Sequence, residues 1–113
     1  MEQEVREHVE AIAPATRPLF DRVHRLVLEE YPTARVVLAY RMPTFVVGER
    51  RLHVGAWKHG VSLYGWEHGR DAGFAARHPE LDSGKGTLRI THAAAEVVGD
   101  DELRDLLRAT LAP

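Results

Sequence analysis

Two periodicities divide the chain. Val5, Val9 and Ile12 recur at helical spacing, with Glu4, Glu7 and Glu10 on the other side, so a first amphipathic helix is predicted. Pro14 should end it, because a proline disfavours helix in the residue before it. Thr16 is the expected N-cap of a second helix, with Pro18 tolerated in its first turn. Leu19, Val23, Leu26 and Val27 form that helix's apolar stripe, and Tyr31-Pro32 closes it. From Val36 onward the period shortens. Val36, Leu38 and Tyr40 alternate with Val37 and Ala39, and Thr44 to Val47 is β-branched and aromatic. Leu52 to Trp57 and Val61 to Trp66 follow, separated by the polar turns at 48–51 and 58–60. Short strands joined by tight turns predict an antiparallel meander. Pro43 cannot donate a ladder hydrogen bond and belongs at a strand start, edge or bulge.

The remaining stretch returns to helix. A short helix is expected around Phe74, ending before Pro79, and Asp82 to Gly86 reads as a loop. Thr87 to Thr91 reads as a further strand. Asp100 is the expected cap of a final helix whose buried stripe is Leu103, Leu106, Leu107 and Leu111. With no repeat or linker, 1–113 is read as a single domain. It is of α+β class, with two layers: a mostly antiparallel sheet covered by N- and C-terminal helices.

Composition narrows the chemistry. With 113 residues, 44% hydrophobic and 28% charged, the chain has the make-up of an ordinary globular domain. It has no cysteine, which excludes disulfides, thiolate catalysis, iron–sulfur clusters and cysteine zinc sites. The charged start at Glu2-Gln3-Glu4 does not suit a secretory signal, and no apolar run approaches a membrane span. A cytoplasmic location is expected. The net charge of −2 argues against non-specific nucleic-acid binding, and no membrane partner is expected.

At Met42-Pro43-Thr44-Phe45 the chain resembles the YdhG-like family, a bacterial domain of unknown function. The other carriers of the resemblance are Lys58-His59 with Ser62-Leu63-Tyr64, then Lys85-Gly86-Thr87-Leu88-Arg89-Ile90, and the Leu-rich segment from Glu102 to Leu111. These occur in order over nearly the whole chain. The resemblance implies an α+β fold and no settled activity. One member is described as a frataxin-like intracellular iron chaperone, which makes iron handling the alternative function the resemblance implies.

The candidate ligand-binding residues are Lys58, His59, Tyr64 and Lys85. Lys58 and Lys85 are the chain's two lysines, in a protein that otherwise uses arginine. On extended strands Ser62, Tyr64 and Trp66 share a face, as do His53, Gly55 and Trp57. A hairpin would merge these faces into an aromatic hollow rimmed by Lys58 and His59. Lys85, between two glycines, would present an ammonium and backbone N–H groups to an anion. The bland alternative is that the aromatics pack the sheet and the turn is merely exposed. Gly84-Lys85-Gly86-Thr87 is not a phosphate loop: Pro79 stands where its first glycine belongs, and a strand follows instead of a helix. His53, His59, His68, His78 and His92 show no metal-ligand spacing. The row Glu4, Glu7, Glu10 offers iron weak oxygen ligands, yet a solvated helix face explains it equally. Neither Ser62 nor Ser83 sits in a nucleophile motif.

The expected function is therefore a non-enzymatic binding module for a small anionic or polar ligand, with no cofactor. The alternatives are an iron chaperone and a protein-protein interaction module. An exposed Trp57 or Trp66 would point to the latter, and a homodimer is its simplest form.

Overall fold

The computed structural model describes residues 2–84 and 86–113. The elements run α1 (Gln3–Glu10), α2 (Arg17–Glu30), β1 (Arg35–Ala39), β2 (Met42–Val47), β3 (Arg50–Trp57) and β4 (Gly60–Tyr64). Then come α3 (Phe74–Arg77), a 3-10 turn (Pro79–Leu81), β5 (Thr87–Thr91), α4 (His92–Val97) and α5 (Asp100–Leu111). The five strands form one antiparallel sheet in the order β1-β2-β3-β4-β5. The chain therefore has the α+β fold that its periodicity predicts.

Strand alternation gives the sheet two unlike faces. The registers Val36↔Phe45, Phe45↔Leu52, Val54↔Leu63 and Leu63↔Leu88 set one apolar row across all five strands, and Val61↔Ile90 adds to it. This face meets Val5 and Val9 of α1, Phe20, Val23, Leu26 and Val27 of α2, and Leu103, Leu106, Leu107 and Leu111 of α5 in a single core cluster. The rings of Phe20 and Phe45 stack at 6.3 Å where α2 crosses β2. The opposite face carries Arg35, Val37, Met42, Thr44, Val46, Arg51, His53, Gly55, Trp57, Ser62, Tyr64, Thr87 and Arg89. None of these belongs to the core cluster.

Ion pairs lock the helical layer. Arg22 Nε and Arg25 Nη2 donate to the Asp100 carboxylate at 2.6 and 2.9 Å, and Arg22 also reaches the Ala95 and Val98 carbonyls. Arg104 pairs with Glu29, and Arg108 makes a two-pronged contact with Glu30. Pro43 is the second residue of β2, facing Leu38, and the pairing of β2 with β3 begins one residue later at Thr44↔His53. Its missing N–H is thus accommodated at a strand start.

Four local expectations are corrected. Thr16 is at the N-cap position of α2, but its hydroxyl makes no cap bond and is used in a tertiary contact instead. Gly99 is the N-cap of α5, because the Asp100 carboxylate is taken by Arg22 and Arg25. Trp66 does not share a face with Ser62 and Tyr64: β4 ends at Tyr64, Gly65 turns the chain at φ +99°, and Trp66 is buried in the core cluster. Helix α4 was not expected from the sequence. Thr91 caps it by accepting from the Ala94 N–H, and the alanines after His92 favour it.

Candidate functional site

The turn between β3 and β4 puts Lys58 and His59 at one end of the sheet, both exposed. Gly60 holds this end together. Its φ is +156°, and a Cβ there would lie 2.1 Å from the Ile90 carbonyl oxygen, so β4 can approach β5 here only as glycine. The His92 N–H donates to the His59 carbonyl at 2.9 Å, tying the turn to the start of α4.

Behind the turn, a fully buried Thr16 joins three elements. Its hydroxyl donates to the Trp57 carbonyl at 2.9 Å and lies 3.0 Å from His92 Nε2. A hydroxyl has one hydrogen, so with that hydrogen on Trp57 it accepts from His92, which sets His92 as the Nε2–H tautomer. This pins the C-terminal end of β3 against the first residues of α2 and α4.

A cleft of about 490 Å³ opens beside it. Its walls are Ala11, Ile12, Ala13 and Ala15 from the α1–α2 connection, with Ala56 and Trp57 from β3. Its polar lining comes from His8 and Lys58. The Trp57 indole N–H is buried without a hydrogen-bond partner among the described residues. Arg89 covers the Trp57 ring, its guanidinium carbon 4.7 Å from the ring centroid. Chemically, the cleft offers an apolar slot with one ammonium and one imidazole at its polar lining.

The three described residues of those picked out from sequence, Lys58, His59 and Tyr64, do not gather at one end of the sheet. Lys58 and His59 precede β4, whereas Tyr64 ends it, about 13 Å from the strand's first residue at ~3.3 Å per residue. Strand direction sets this separation: Lys58 and His59 flank the start of β4 and Tyr64 closes its end. Lys85 lies outside the described residues. Of the three described candidates, Lys58 alone lines the cleft. Sequence reasoning missed His8 and Ile12 as its neighbours, because the return of α1 onto the β3 end is a tertiary contact.

Tyr64 belongs to the second half of the open face. His53 stands between Thr44 and Tyr64 in register, and its Nδ1 lies 2.7 Å from the buried Thr44 hydroxyl. Burial, and then the neighbouring Arg51 charge, push the His53 pKa down, so its neutral form is favoured. Tyr40 sets its ring edge-on to His53 at 5.3 Å while remaining 82% exposed. Tyr40 and Arg41 form the β1–β2 turn with φ of +53° and +61°, left-handed values that bulky side chains rarely adopt. Gly55 leaves a dip between them, over which Met42 Sδ and Tyr64 Cε2 settle within 3.2 and 3.4 Å of where a Cβ would be.

Among the described residues, no group of three or more His, Asp or Glu is placed to hold a metal ion. Glu4, Glu7 and Glu10 are exposed on α1, and Glu7 accepts from the Gln3 side chain. Neither tryptophan forms an exposed patch; among the described residues, the exposed large apolar side chains are Tyr40 and Val97. No helix of the described residues is long and apolar enough to cross a membrane. Searches of protein-family models, of curated proteins and of solved structures found no match to this chain.

Proposed function

We propose that the protein is a non-enzymatic binding module of YdhG-like type, and that its cleft beside Lys58 takes a small organic anion. The observation that carries this reading is the combination of apolar walls with a single ammonium in one cleft. Apolar surface removed from water contributes roughly 25 cal/mol per Å², and the ammonium selects a ligand with one acidic group at its end. His8 supplies a second donor through an imidazole N–H. No nucleophile with an attendant base lines the cleft, so its residues favour binding over turnover.

The probe is 8-anilinonaphthalene-1-sulfonate, an aromatic body with one anionic group, followed by its fluorescence. Saturable enhancement is expected, with competition by octanoate. Lys58→Ala should weaken binding about tenfold, equivalent to about 1.4 kcal/mol. Because Lys58 is exposed, its melting temperature should barely move. No saturable enhancement, or equal affinity in Lys58→Ala, overturns the reading.

A further inference from the structure

We infer that the helix-free face of the sheet is a single-stranded nucleic-acid surface, with Arg35, Arg41, Arg51 and Arg89 on phosphates and Tyr64 and Tyr40 under bases. The inference starts from where the charges go. The chain's net charge is −2, but its acids are not evenly spread. Asp21, Glu29, Glu30, Asp100, Asp101, Glu102 and Asp105 are all paired with arginines on the helical side. On the opposite face of the five strands, the outward positions include Arg35, Arg51 and Arg89 and no acid. Arg41 joins them from the β1–β2 turn. None of these four makes an ion pair among the described residues. The overall negative charge therefore conceals strand positions of one sign, with the acids Glu49 of the β2–β3 turn and Glu2 near Arg35 only at the margin.

The rings on that face decide the kind of anion. Five strands at ~4.8 Å spacing make a platform about 19 Å wide, room for several nucleotides of an extended strand. Tyr64 lies low over bare Gly55, and Tyr40 projects almost fully exposed from a left-handed turn that would not hold it without cause. Arginines interleaved with rings on an open sheet suit unstacked bases. A duplex hides its ring faces and would use only the charges. The surface borders the Lys58 cleft at Trp57, which Arg89 covers, but Arg35 and Arg51 lie opposite Val46 toward the other strand end, so variants there test the surface without touching the cleft.

The test uses fluorescence anisotropy of the full chain with fluorescein-labelled decathymidylate. Saturable binding is expected. Its log–log salt slope should be about −3, since four phosphates each contribute ~0.7 on a single strand. The R35A/R51A double variant should lower that slope by about 1.4 in magnitude. Tyr64→Ala should weaken binding about tenfold with the slope unchanged. Melting curves confirm that each variant is folded, and naphthalene-sulfonate binding should be the same in R35A/R51A as in the parent. No saturable binding in low salt overturns the inference. So does equal affinity for a duplex, or a slope that R35A/R51A leaves unaltered.

Discussion

Replacing Thr16 by valine keeps the shape of the side chain and removes its hydroxyl. The Thr16 side chain is fully buried, so the valine methyl keeps water out of the position its hydroxyl held. The Trp57 carbonyl loses a donor at 2.9 Å and His92 Nε2 loses an acceptor at 3.0 Å. A net hydrogen bond contributes about 1 kcal/mol, and a buried group left unpaired costs about 1–3 kcal/mol. His92 is only half-buried and can turn toward solvent, so the carbonyl dominates and a loss of about 2 kcal/mol is expected. An unfolding entropy of about 2.1 cal/mol/K per residue makes that roughly an 8 °C fall in melting temperature for a chain of 113 residues. Urea denaturation followed by tryptophan fluorescence, with thermal melting beside it, measures the change. Thr16→Ser retains the hydroxyl and should lose less than half as much. A Thr16→Val loss under about 0.5 kcal/mol, the range of ordinary surface changes, would refute the pinning role.

Two further outcomes follow from the same structure. His24 and His53 both have pKa values below the ordinary 6.5, in each case chiefly through burial. The unfolded chain then binds more protons than the folded one, so their contribution is complete above about pH 6.5 and declines on acidification through the lowered folded values. Melting temperature should fall between about pH 7.5 and about pH 5.5, and the H24Q/H53Q double variant should flatten that fall; a rise on acidification contradicts it. Replacing Tyr40-Arg41 by Asn-Gly gives the turn residues that tolerate its left-handed φ values. Relief of two strained residues outweighs the lost Tyr40–His53 ring contact, for a gain of about 1 kcal/mol in urea denaturation; a loss of stability would show the turn to be unstrained.

Much of the fold is legible in the sequence, and the reason is local. The stripes Val5-Val9 and Leu19-Val23-Leu26-Val27, and the strand alternation from Val36 to Val61, encode burial within a few neighbouring residues. The site is less legible because it depends on strand ends and on distant partners. Whether Lys58 meets Tyr64 is decided by which end of β4 each occupies, and pairing Tyr64 with Thr87 carries it away from the turn. Thr16 reads as a cap until the Trp57 carbonyl and His92 arrive from elsewhere in the chain. Trp66 reads as the next residue of an aromatic row until Gly65 redirects it. The segregation of charge is hidden for the same reason: a net value of −2 says nothing about which arginines find carboxylates.

The order of the strands bears on how the molecule fastens. Every sheet neighbour is also the next strand in the chain; the first three pairings close over tight turns, and β4 meets β5 over the longer stretch 65–86. The joint between α2 and α5 is different, with Arg22, Glu29 and Glu30 meeting Asp100, Arg104 and Arg108 across more than 70 positions of chain. Local contacts form early and distant ones late. Ion pairs in that joint therefore act as a latch: they govern how long the closed molecule holds and have little say in how fast it assembles.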